Sequence, residues 1–341
     1  MGSFIYIPAL RPLNTVAPAI TGNTYVGQTL TCSNGTWSNF PTSYSYQWYR
    51  GTTPIGTNAN TYTQVSADAS QNISCVVTGI NVAGSQTATS NTSYCYTSEF
   101  WAVIAFATAQ AYTLPTTAQL QKFDAMVGEL IAASMWTIMD RFWFPANNGS
   151  SNFGRINWMN PTTGTLLSLV NSPTWTSNIG YVGNGSSSYI DTQFNPATQG
   201  VNYTLNNAGR YCYVTYRMAE GTTYTIDGNA VTNENQMRMA ITSNANNINS
   251  GTGGLSASVN TRTIDFHAIT RTSSLAVTRT TDVIQLGTTT STTISSNNQW
   301  FLRGGGSYSQ IGIGFYAMGS AISDANLPTY RSIIKRYINN L

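Results

Sequence analysis

Few residues in this 341-residue chain could carry chemistry, and they are scattered. His267 is the sole histidine and sits in an alternating run with Ile264, Phe266 and Ile269. A triad needs a nucleophile and a base within hydrogen-bond reach, yet no G-x-S-x-G turn or cysteine nucleophile motif accompanies His267. It reads as a strand residue satisfied by hydrogen bonds. Glycoside hydrolysis needs two carboxylates about 5 to 9 Å apart, which on a strand calls for acids at i and i+2 or i+4. No such cluster occurs; Glu220 with Asp227, or Asp227 with Glu234, could meet only through folding. Calcium wants several converging oxygens, but Asp191, Asp227, Asp265 and Asp282 stand singly, leaving only a site of one Asp with backbone carbonyls. No cofactor is expected. The Gly304–Gly306 run lacks the Lys and helix of a phosphate loop and reads as a strand-connecting turn. Four cysteines without a C-x-x-C pair exclude the usual zinc motifs.

What remains is binding. Trp300, Tyr308 and Trp175 lie near turns, where an aromatic ring can stack on a sugar. Arg303 and neighbouring asparagines would supply directional hydrogen bonds, so these four residues are the candidate glycan contacts. Most of the other tryptophans alternate with polar neighbours and belong to cores.

The composition sets the setting. Charged residues make up 8%, against roughly 25% in an average soluble protein, and Ser, Thr, Asn, Gly and Tyr take their place. The surface is then polar but weakly charged, as in extracellular β-proteins and virion proteins. A net charge of +3 gives no stripe able to neutralise a phosphate backbone; Arg210 with Arg217, or Arg271 with Arg279, are at most isolated surface pairs. Nucleic acid is not an expected partner. The longest apolar stretch, residues 100–107, is far short of the ~20 residues that span a bilayer, so no membrane is expected either. The amino-terminal residues show no basic segment followed by an apolar core, and no secretory signal is read there. Sequons such as Asn34, Asn148, Asn184 and Asn202 carry little weight in a chain so rich in Asn, Ser and Thr.

Periodicity divides the chain. Residues 1–14, with Pro8 and Pro12, read as an extended arm and a candidate anchor. Residues 15–96 alternate at period two: Leu30 with Cys32, Tyr44 with Tyr46 and Trp48, and Ile73 with Cys75 and Val77 each share a face. Residues 97–134 form an apolar and helical connector, with Leu120, Phe123, Val127, Leu130 and Ile131 at helical spacing behind Thr116 or Thr117 as cap. Residues 135–341 return to short strands and end in a helix over 323–340, whose Lys335 and Arg336 suit its carboxyl end.

The spacing of Cys32, Trp48 and Cys75, with Gly35-Thr-Trp-Ser and Tyr46-Gln-Trp-Tyr-Arg, resembles the immunoglobulin-like modules of bacteria and phages. That resemblance implies a sandwich with Trp48 in its core and makes Cys32 and Cys75 a candidate disulfide, worth roughly 2 to 5 kcal/mol if oxidised. Ile73 stands where antibody-type domains carry a tyrosine. Phe142-Trp-Phe, Asn157-Trp-Met-Asn-Pro, residues 181–192, Phe266-His-Ala-Ile-Thr-Arg and the ending Trp300-Phe-Leu-Arg-Gly-Gly-Gly with residues 311–319 resemble laminin-G or concanavalin A-like lectin domains of bacteriophage structural proteins. The implied fold is mainly β: an immunoglobulin-like β-sandwich, then a larger jelly-roll sandwich, with a helical connector and a C-terminal helix. The implied role is that of a non-enzymatic virion surface protein, a capsid decoration, head fibre or tail appendage. It would be made in the host cytoplasm, held in many copies or as a homo-oligomer by capsid or tail proteins through residues 1–14, and would bind host-surface glycan. Alternatives are a secreted bacterial adhesin and a glycan hydrolase on a concanavalin-like fold.

Overall fold

The computed structural model describes residues 9–162, 166–217, 224–229, 236–239, 245–246, 248–249, 255–256, 264–274, 276–280, 284–288, 290–304 and 306–341. The chain is mainly β, with α-helices at Ser98–Ala109, Thr117–Ala132 and Leu327–Ile338 and a single turn of helix at Pro196–Gln199. It divides into two compact units, Met1–Trp101 and Ala102–Leu341.

The first unit is an antiparallel sandwich. One sheet is built on Ser43–Arg50 and Gln71–Asn81, and the facing one on Thr29–Cys32 between Ile20–Thr21 and Thr61–Thr63. The alternation in the sequence is realised directly: Leu30, Cys32, Trp48, Ile73, Cys75 and Val77 are all buried in one cluster. Trp48 pairs in register with Cys75, and its indole N–H donates to the Ala59 carbonyl at 2.9 Å. Asp68 is buried too. It accepts from Arg50 Nε at 2.6 Å, Tyr62 Oη at 2.7 Å and the Val65 N–H at 2.7 Å, so its charge is paired and its lone pairs are used.

The second unit has three layers. An eight-stranded antiparallel sheet runs in the order Thr174–Thr176, Gly180–Val182, Ile311–Gly319, Ala208–Arg217, Phe266–Arg271, Ala276–Thr280, Ile284–Thr288, with Met139–Trp143 also pairing to Ile311–Gly319. A five-stranded sheet follows the order Ser168–Val170, Tyr189–Asp191, Trp300–Phe301, Tyr224–Gly228, Met237–Met239. Between them lie Trp143, Ile190, Val214, Ile226, Phe301, Ile313 and Tyr316 among other buried side chains. The other face of the larger sheet is covered by helices: Phe123 packs on Phe144 with ring centroids 4.8 Å apart, and Tyr330 on Tyr211 at 5.0 Å. Being covered on both faces, Ile311–Gly319 is buried at every position. The helices Thr117–Ala132 and Leu327–Ile338 thus both pack on the larger sheet.

The helices start and stop for local reasons. Thr116 caps Thr117–Ala132 by accepting from the Gln119 N–H, and Ser134 ends it in a left-handed conformation (φ 57°) as the Met135 N–H reaches back to the Leu130 carbonyl at 2.8 Å. The apolar segment read as a connector is itself helical over Ser98–Ala109. The last helix begins at Leu327, not near Ser323: residues 323–326 form a turn, and Pro328 occupies the first helical turn, where its missing N–H costs nothing.

Candidate functional site

On the outer face of the five-stranded sheet the chain assembles an aromatic cage. Tyr189 and Asp191 flank the core residue Ile190, so strand alternation points both outward. Asp191 pairs in register with Trp300, and Trp300 with Gly228, which places Trp300 on that same face. The next residues would return Leu302 to the outer face and Arg303 to the core if the strand stayed regular. It does not. Leu302 takes a left-handed backbone (φ 65°), costly for a bulky residue, and both Phe301 and Leu302 enter the core. The reversal delivers Arg303 to the outer face above Trp300.

A hairpin holds the arginine there. Arg303 pairs with Tyr308 and Gly304 with Ser307 across the turn. Gly304 sits so close to Gly228 that a Cβ added at Gly228 would come within 2.7 Å of the Gly304 Cα, so two bare backbones set the hairpin's height on the sheet. The Arg303 guanidinium then lies 4.4 Å from the Trp300 ring centroid, 4.7 Å from Tyr189 and 5.0 Å from Tyr308. Tyr189 and Trp300 are themselves 5.0 Å apart. All four side chains are half-buried. Arg303 Nε and Trp300 Nε1 are shielded from solvent and donate to nothing. Asp191, across from Trp300, accepts from the Asn298 amide at 3.2 and 3.3 Å and from the Gln193 N–H at 2.7 Å, which fixes its orientation.

Three of the four sugar-contact candidates thus meet: Trp300, Arg303 and Tyr308. Trp175 does not join them. It packs against the core and its indole donates to the Pro145 carbonyl at 3.0 Å, a structural role at the far edge of the larger sheet. Tyr189 and Asn298 were missed, although the alternation Tyr189-Ile190-Asp191 after an Asn-Gly-Ser turn was a usable signal.

Other candidates fall elsewhere. Asp227 is wholly buried against Arg210 at 2.7 Å, the Met237 N–H at 2.9 Å and the Tyr316 hydroxyl. Burial pushes its carboxyl up, with Arg210 and the hydrogen bonds only partly offsetting it. Arg271 is buried as well, donating to the Ile248 and Ser274 carbonyls, so neither arginine belongs to a surface patch. Asp265 pairs with Arg331 at 3.0 Å and Lys335 at 2.7 Å. His267 is buried on its strand opposite Cys212. Glu220, Glu234 and Asp282 lie outside the described residues, as does the side chain of Arg279. Among the described residues no three His, Cys, Asp or Glu side chains converge to hold a metal ion, and no helix is long and apolar enough to cross a membrane. Cys32 and Cys75 meet as thiols rather than as a closed disulfide: a hydrogen bond between them lowers Cys32, against the effect of burial, and raises Cys75. Cys95 and Cys212 are buried thiols.

No protein-family model and no curated protein matches the sequence. Among solved structures, a Trypanosoma rangeli sialidase in complex with 2,3-difluorosialic acid aligns with 95% of this chain at 9% identity and a TM-score of 0.36. An arabinofuranosidase complexed with arabinofuranosyl-α-1,2-xylobiose aligns with 94% at 11% identity and a TM-score of 0.32. The chain spans 53% of the former's length and 62% of the latter's. So loose a superposition transfers no residue roles. Two expectations are nonetheless corrected. The structures found are glycan hydrolases, not virion proteins, and neither the non-enzymatic virion surface role nor the exclusion of enzymatic activity is retained.

Proposed function

We propose that this is a glycan-active protein whose outer sheet face seats a sugar chain for hydrolysis. The observation that carries the reading is the half-buried Arg303 guanidinium ringed by Trp300, Tyr189 and Tyr308 within 4.4 to 5.0 Å. Aromatic rims offer apolar faces to the C–H side of a sugar ring, and a guanidinium carries only donors, which suit the ring's oxygens. Asp191 supplies the carboxylate on the same face. Hydrolysis would break the glycosidic C–O bond and add the oxygen of water to the anomeric carbon, Asp191 taking one proton of that water as the base of the usual carboxylate pair and the leaving oxygen taking its proton from solvent. A carboxylate held by Asn298 and Gln193 can accept the proton of that water.

The test is a panel of oligosaccharides followed by tryptophan fluorescence for binding and reducing-end release for turnover. Trp300→Ala is expected to weaken binding by about tenfold, a stacking loss of about 1.4 kcal/mol. Asp191→Asn is expected to keep binding and abolish release. Unchanged binding in Trp300→Ala and Tyr308→Ala overturns the site; release that survives Asp191→Asn overturns its hydrolytic role.

A further inference from the structure

We infer that the site selects anionic sugars, those bearing a carboxylate or sulfate, with Arg303 as their counter-ion; the inference rests on the glycan reading above. Five cations of the described residues are met by an acid, Arg50 by Asp68, Arg210 by Asp227, Arg331 and Lys335 by Asp265, and Arg336 by Glu129, and others such as Arg155 and Arg271 by carbonyl oxygens. Arg303 is different. It has no acid among the described residues and is held only by ring faces. Those faces attract the cation through their quadrupoles but accept nothing in the guanidinium plane, where its N–H fork lies. Its Nε lacks an acceptor, and so does the indole N–H of Trp300 beside it.

A planar fork held at its faces and unfilled at its edge matches a carboxylate or sulfate, which accepts two parallel hydrogen bonds. A hydroxyl of a neutral sugar fills one direction and brings no charge. Asp191 sets the polarity of the ligand. Directly across from Trp300, its negative charge repels an acidic group, so the anionic substituent belongs at the Arg303 end and hydroxyls at the Asp191 end. In this cage a glycan's negative charge meets a cation that has ring faces and no acid among the described residues for neighbours.

The experiment is calorimetric titration of the full chain with trigalacturonate, a sulfated galactotriose and neutral galactotriose, at low and high salt. The expected result is at least about tenfold tighter binding of one or both anionic sugars than of the neutral one, weakening with salt. Preference for one anionic sugar assigns carboxylate or sulfate as the source. Arg303→Gln is expected to bring all three to the neutral sugar's affinity, whereas Arg303→Lys, which keeps the charge without the fork, retains part of the preference. Circular dichroism checks that both variants fold, and if Arg303→Gln does not, Arg303→Lys and the salt series decide. Equal wild-type affinity for the three overturns the anionic selectivity and leaves the glycan reading standing. No binding of any of the three, with Trp300→Ala and wild type also indistinguishable across the wider oligosaccharide panel, overturns both.

Discussion

Replacing Arg210 with Met should destabilise the second unit far more than any surface change, because it strands a charge between the two sheets. Arg210 lies on the larger sheet and Asp227 on the smaller, both fully buried, and the Asp227 carboxylate also accepts from the Met237 N–H and the Tyr316 hydroxyl. Removing one partner of a buried pair costs about 3–5 kcal/mol. For a unit of this size that is a fall in Tm of roughly 6–20 °C, at about 2–4 °C per kcal/mol. Asp227→Leu should cost a similar amount. Made together, the two changes leave neither charge of this pair; the Tyr316 hydroxyl and Met237 N–H lose their acceptor, at about 1–3 kcal/mol each, and Gln299 Oε1 loses a long 3.4 Å bond from Arg210. The double variant should therefore lose about 2–6 kcal/mol, below the roughly 6–10 that additivity demands. Urea unfolding of wild type, both single variants and the double variant measures the cycle. Additive losses, or a single variant within about 1 kcal/mol of wild type, would refute the argument that this pair ties the sheets together.

Gly228→Ala should disturb the cage without touching it: the new Cβ meets backbone at Gly304, which cannot rotate away, so the Arg303 hairpin must lift, with about 1–3 kcal/mol of stability lost and sugar affinity reduced. Denaturant melts and titration of Gly228→Ala check both. Burial pushes Tyr62 and Tyr203 up to about 12, so the folded chain keeps protons that the unfolded chain releases above about pH 10. Stability is thus intact below pH 10 and is lost as pH rises from there to about 12, on the order of 2–3 kcal/mol for the fully buried Tyr203 and less for the partly exposed, solvent-screened Tyr62. Phenolate absorbance should show these two tyrosines ionising late and together with unfolding; early ionisation of both contradicts it. Cys32 and Cys75, thiols in mutual contact, should close under mild oxidant and raise the stability of the first unit by about 2–4 kcal/mol, whereas Cys75→Ala should abolish the gain. Denaturant melts before and after oxidation decide it.

Much of the fold is legible where one physical rule dominates. Leu30 with Cys32, and Ile73 with Cys75 and Val77, alternate because one sheet face is buried, and the structure buries them together. The stripe through Leu120, Phe123, Val127 and Leu130 packs as a helix face. The connector was harder to read: Ser98–Ala109 has Phe100, Trp101, Val103, Ile104 and Phe106 nearly all round, so periodicity could not separate helix from an apolar linker. Ser323 and Asp324 look like a helix start, four residues ahead of Leu327, whereas Pro328 marks the real one. Arg210 and Arg271 looked like surface charges. Only the pairing of distant strands reveals the carboxylate and carbonyls that let them be buried.

The candidate site shows most sharply where sequence rules stop. Period-two alternation through Trp300-Phe-Leu-Arg places Trp300 and Leu302 on one face and Arg303 on the other, so no reading of the pattern stacks Arg303 on Trp300. The left-handed Leu302 breaks that rule at a cost of about 1–2 kcal/mol. Its carbonyl and N–H remain bonded, to the Ser309 N–H and the Ile226 carbonyl at 2.9 Å each, so the kink is enforced by the sheet rather than left to a loose loop. Relieving the strain tests whether the kink serves the cage. Leu302→Gly accepts the left-handed backbone freely but empties a buried site, so it should lose stability while the Arg303 hairpin stays in place. Leu302→Val keeps most of the apolar volume but resists the left-handed conformation more strongly, and should lose sugar affinity out of proportion to its stability. If affinity instead tracks stability equally in both variants, Leu302 is a core residue with an unusual backbone and nothing more.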